Sequence, residues 1–120
     1  MIHLNKKERI ARIKGILLPQ SKYYALEGRT PVPVGCDAWA RSFEKDQHVA
    51  LTKKDGVEVS TVFLGLNHSF GGEEPILFET MIFGPGYDQK EYQTRCSTWE
   101  QAERMHAKAC KIAGITWKKP

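Results

Sequence analysis

VEVSTVFLGLNHSFGGEEPILFETMIFG, residues 57–84, holds the longest β-prone apolar runs of the chain and its richest glycine loop. In its first half Val59, Thr61 and Phe63 alternate with Val62, Leu64 and Leu66. Side chains two apart share a face of a strand, so both faces of this segment are apolar. Residues 76–83 repeat the pattern, and the two runs flank a loop at 67–75. The pattern predicts a central antiparallel hairpin over 58–83 with a core on both faces of its sheet. Glu79 interrupts the second run, on the face of Leu77, Met81 and Phe83. Burying it ionised would cost several kcal/mol unless it is paired. Arg95, His68 and Arg41 are the candidate partners, and a structural Glu–Arg pair is the simplest of these.

The flanking segments complete an α+β domain. Residues 47–54 alternate, and Asp55-Gly56 beyond them is a two-residue hairpin signal, since both positions tolerate positive φ. Residues 92–96 read as a short edge strand, giving about four antiparallel strands. SerThrTrpGluGln at 97–101 carries a capping box, so a C-terminal helix is expected over 98–112, stopped by Gly114. Trp117 offers one further apolar anchor beyond it. Asp37 would cap a short helix near 38–45, with Trp39 and Phe43 turned inward. Pro31 and Pro33 suggest an extended, polyproline-like path for 20–35. Asn5, Ile10, Ile13, Ile16 and Leu17 predict an N-terminal amphipathic helix ended by Pro19. The expected organisation is a basic arm, 1–19, followed by a single domain, 20–120.

Charge follows that division. The chain has 18 basic and 14 acidic residues, for a net +4. Lys6, Lys7, Arg9, Arg12, Lys14 and Lys22 face a single acidic residue, Glu8, within the first 24 positions. The remainder is close to neutral, so attraction to nucleic acid or to acidic surfaces is concentrated in the arm. No run of 18 apolar residues exists to cross a membrane, and the first residues lack the apolar stretch of a secretory signal. Cys36, Cys96 and Cys110 are odd in number and form no C-x-x-C pair. That pattern favours free thiols in a reducing compartment, acting as small buried hydrophobes, over a disulfide framework or a metal site. No cofactor-binding motif is present.

Chemistry-bearing residues gather in the central loop. Asn67, His68, Ser69 and Phe70 precede Gly71-Gly72, where backbone can approach a ligand closely. Neither a P-loop nor a dinucleotide fingerprint fits, because Glu73-Glu74 and a strand follow. His68 with Glu79 and Arg95 would suit acid–base hydrolysis if the fold brought them together. His106, within the C-terminal helix, reads as a satisfied core polar residue. No complete catalytic constellation is legible.

YALEGRTPVPV at 24–34, VSTVFLGLNHSFGGEEPILFETMIFG at 59–84 and STWEQAERMHA at 97–107 together resemble a family of small proteins of unassigned function from tailed-phage genomes and prophages. The family's loop reads Asp-His before the aromatic-glycine turn, and Asn67 stands in place of that Asp. The resemblance implies an accessory role in the cytoplasm of a host bacterium, by binding a host or defence-system protein complex. Two alternatives stand beside it. One is a small hydrolase acting on a nucleotide or phosphodiester through His68 and Glu79. The other is nucleic-acid binding through the arm residues Lys6, Lys7, Arg9, Arg12 and Lys14. A homodimer through the short end strand is compatible with the pattern, which leaves the question open.

Overall fold

The computed structural model describes residues 21–69, 74–87 and 92–120. The expected N-terminal helix, with Lys6, Lys7, Arg9, Arg12 and Lys14, lies outside the described residues, as does Phe70. The described elements are β1 (Tyr24–Glu27), β2 (Thr30–Pro33), α1 (Cys36–Ser42), β3 (His48–Lys54), β4 (Val57–Phe63), β5 (Phe78–Phe83), β6 (Tyr92–Cys96) and α2 (Trp99–Ile112). β3-β4-β5-β6 form a four-stranded antiparallel sheet, and β1-β2 form a separate two-stranded one. The α+β class, the central hairpin and the C-terminal helix are therefore as expected.

Local chemistry sets these elements. Asp55 and Gly56 both take positive φ, 51° and 82°, which is the two-residue turn whose twist matches a hairpin. The Thr98 hydroxyl accepts from Gln101 N–H at 3.1 Å while the Gln101 side chain accepts from Thr98 N–H at 3.1 Å, closing the capping box of α2. At its other end Gly114, φ 74°, turns the chain into a tail that packs back on the core through Ile115 and Trp117.

The core lies on one face of the sheet. Val59, Thr61 and Phe63 of β4 and Phe78, Thr80 and Ile82 of β5 are buried against Ala102, His106, Ala109 and Cys110 of α2. Each large apolar side chain buried here contributes about 1.5–3 kcal/mol. Among the described residues the opposite face lacks the second layer that the sequence predicts: no helix packs on it, and Leu51 and Phe83 are 44% and 43% exposed. Val62 and Met81 on that face are half-buried. Leu77 departs from the alternation: it sits at the mouth of the hairpin and is fully buried in a cluster with Tyr24, Phe63 and Phe78.

Residues 24–33 form a hairpin where an extended connection was expected. Gly28, φ 65°, occupies the first position of a two-residue turn, the place a type II′ turn assigns to glycine. Val34 N–H donates to Tyr23 C=O at 3.0 Å. Counting in twos from that pair, Val32 and Thr30 use their N–H groups in the ladder. Pro31 and Pro33 fall between them, where a missing N–H costs no ladder bond. Three further expectations are corrected. α1 begins at Cys36 with Gly35 as its N-cap and no side-chain cap, so Asp37 lies inside the first turn. Its Phe43 is 47% exposed, and the Cys36 thiol is exposed as well.

Gly65 joins the two sheets. Its C=O accepts from Tyr24 N–H at 2.7 Å, and at φ 69° an added Cβ would lie 2.6 Å from Tyr24 O and 2.8 Å from Trp39 Nε1. Gly65→Ala is expected to destabilise the fold by about 2–4 kcal/mol, combining left-handed strain with a clash against backbone. Gly28 has a similar φ but open space around it, so Gly28→Ala should cost only about 1 kcal/mol. Chemical denaturation of the two variants side by side checks the difference.

Candidate functional site

Three places in the described structure collect polar chemistry. The first is the seam between α2 and the sheet. His106 is fully buried, with Nδ1 2.8 Å from Thr61 Oγ1 and Nε2 2.9 Å from Thr52 Oγ1. Thr61 Oγ1 lies in turn 2.5 Å from Thr80 Oγ1. A neutral imidazole offers one donor and one acceptor, and threonine hydroxyls serve as either, so the whole row can be satisfied without a charge. Burial holds the His106 pKa below the usual histidine range. The Trp117 ring closes the pocket edge-on at 4.8 Å. One turn away on α2, Glu103 makes an ion pair with Lys119 at 3.4 Å, and burial pushes the Cys110 thiol up. His106 is thus a core residue, as the sequence suggests. Its two threonine partners, and Thr80 behind Thr61, are not marked by any local signal, although Thr52, Thr61 and Thr80 each sit at the period-two position of the core face.

The second place is the base of the central loop. Asn67 Oδ1 accepts from Ser69 N–H at 2.9 Å and from Ile76 N–H at 3.1 Å. Its Nδ2 donates to Ser21 C=O at 3.2 Å, and its N–H donates to Lys22 C=O at 2.9 Å. One amide therefore ties three chain segments together. An aspartate could accept the first two bonds but could not donate to Ser21. His68 N–H donates to Ile76 C=O at 3.0 Å, which fixes its backbone across the hairpin mouth. His68 and Ser69 are half-buried beside this knot.

The third place is the open sheet face. Glu79 Oε2 accepts from Arg95 Nε at 2.9 Å and from Gln93 Nε2 at 2.6 Å. Cross-strand register pairs Glu79 with Arg95, so the neighbour on the next strand is the partner that the sequence required. The arrangement leaves the Glu79 side chain only 13% exposed on an otherwise open face, because Arg95 and Gln93 close over it. Lys53 and Glu58 form a second cross-strand pair there at 3.3 Å. Partly exposed pairs of this kind contribute about 1 kcal/mol or less each. His68 and Arg41 are not among the contacts of Glu79. Glu79 lies three residues along from Ile76, which His68 pairs with, roughly 10 Å at strand rise.

The seam and the knot each generate an expectation. His106 has a lowered folded pKa, so the unfolded chain binds more protons than the folded one wherever pH lies between the two values. Stability should be level above about pH 6.5, the unfolded histidine value, and should fall as pH drops below it. Urea midpoints measured across pH 5–8 should show that slope, and His106→Gln should flatten this part of it. Asn67→Asp replaces the donor to Ser21 with a carboxylate oxygen and should cost about 1–3 kcal/mol. Asn67→Ala should cost at least as much by denaturation.

No protein-family model, curated protein or solved structure matches this chain.

Proposed function

We propose that the chain acts by binding another protein through the open face of its sheet, without turnover. The observation that supports this is the composition of that face. Leu51 and Phe83 project from it, and Ser60 lies between Leu51 and Met81. The Lys53–Glu58 pair beside Phe83 and the Glu79–Arg95 pair beside Val62 flank this row on either side. Exposed apolar side chains set among pairs carrying both charge signs suit a protein–protein contact. The charged groups suggested for catalysis have structural partners: Glu79 is taken up by Arg95 and Gln93.

The resemblance to tailed-phage proteins supplies the setting, in which the partner is a host or defence-system complex within the bacterial cell. Among the described residues no helix is long and apolar enough to cross a membrane. Nucleic-acid contact through Lys6, Lys7, Arg9, Arg12 and Lys14 would be a separate activity of residues 1–19.

The test pairs binding with turnover. Proteins retained from a bacterial lysate should include one that rebinds when purified, with affinity at least tenfold weaker for Leu51→Lys and Phe83→Lys. Surface substitutions of this kind shift stability by about 0.5 kcal/mol, so a folded control is built in. Equal affinity for the variants would overturn the reading. So would hydrolysis of a nucleotide or phosphodiester by the wild type that His68→Ala and Glu79→Gln abolish while the fold stays stable.

A further inference from the structure

We infer that β6 is a self-pairing edge, through which two copies of the chain join their sheets antiparallel with Thr94 on the two-fold axis. The two edges of the sheet are unlike. β3 has a register irregularity between His48 and Ala50 and ends in Lys53-Lys54, and both features discourage pairing with another strand. β6 reads YQTRC, pairs with β5 in unbroken register and contains no lysine or proline. Among the described residues nothing pairs with its outer side.

The ladder says which groups face outward. The two-residue turn makes Lys54 and Val57 the closing hydrogen-bonded pair, so odd-numbered residues of β4 bond toward β3 and even-numbered ones toward β5. The bond from Leu64 N–H to Leu77 C=O, 2.7 Å, agrees with this alternation. Carried across β5, it turns Tyr92, Thr94 and Cys96 inward and leaves the N–H and C=O of Gln93 and Arg95 for the free edge. An antiparallel copy centred on Thr94 sets Gln93 opposite Arg95 of the second copy, and Arg95 opposite its Gln93. All four outward residues then meet a matching pair, and no two like charges are opposed. Centring the pairing on Arg95 would instead oppose two guanidiniums, which is unfavourable.

Thr94 is the second observation. Its hydroxyl oxygen is buried and has no hydrogen-bond partner, an uncommon state for a buried polar group. On the axis it would lie in a non-hydrogen-bonded pair with Thr94 of the second copy, where Cα atoms approach to about 4.5 Å. Threonine pairs in that position can hydrogen-bond across strands. Both copies keep α2 on the same side, so the open faces merge into one surface twice as wide. One five-residue strand buries little area, so the contact belongs to the weak, concentration-dependent class.

Sedimentation equilibrium on the full chain should show a monomer–dimer exchange as concentration rises. Gln93→Pro removes an outward N–H and no ladder bond, and Gln93→Ala matches its loss of the side-chain bond to Glu79. Gln93→Pro should therefore weaken the dimer at least tenfold relative to Gln93→Ala at a similar thermal midpoint. Thr94→Cys should give a reducible dimer under mild oxidation that the wild type, with its three native thiols, does not form, since the paired Cα spacing suits a disulfide. A wild type that is monomeric at every concentration would overturn the proposal. So would a dimer indifferent to Gln93→Pro, or a Thr94→Cys chain that fails to cross-link. A dimer lost instead in Leu51→Lys would move the contact to the open face and equally defeat this assignment.

Discussion

The seam between α2 and the β4–β5 hairpin is the contact on which the rest of the structure depends. A helix of 14 residues is about 21 Å long and about 10 Å across, close to the width of the two inner strands it covers. Fully buried side chains on both sides of the seam, among them Val59, Phe63, Phe78, Ala102 and Ala109, interdigitate there. The small hairpin seals one end through Tyr24, and the C-terminal tail seals the other through Ile115 and Trp117. Those pieces suffice for one face. Among the described residues the opposite face is left with exposed leucine and phenylalanine side chains.

Burial at the seam comes with a polar row, Thr52–His106–Thr61–Thr80. A histidine in this position is tolerated because hydroxyls on two adjacent strands meet both ring nitrogens. The row orients α2 over the sheet more narrowly than apolar packing alone, since a slide along the helix would strand buried donors and acceptors. The same economy governs Asn67, whose single amide serves three segments, and Leu64, whose C=O is met by the Trp39 indole at 3.2 Å. Polar side chains near the hairpin mouth thus hold chain segments together.

Alternation of ladder bonds explains features that otherwise look unrelated. It places Pro31 and Pro33 where their missing donors cost nothing, and it fixes which backbone groups of β6 are left over. It also accounts for the pairing of Glu79 with Arg95, which are direct cross-strand neighbours.

Much of this was legible in the residues. The Asp55-Gly56 turn, the Thr98–Gln101 capping box, the Gly114 stop and the period-two strands are local signals, and each element appears where its signal lies. The need of Glu79 for a cationic partner was also legible, because an apolar strand cannot hold a lone carboxylate. Other features required the tertiary structure. Period two reports that both faces of β4 are apolar, but not what covers each, and among the described residues one helix covers one face. The β1–β2 hairpin was hidden because the positional meaning of Pro31 and Pro33 depends on which partner strand they meet. The threonine cage of His106 draws on three strands and a helix distant in sequence. Periodicity and capping are set by neighbours a few residues away, so the sequence by itself determined the elements. Coverage, register and hydrogen-bond partnership are set between segments, so only the tertiary structure decided which face was left open.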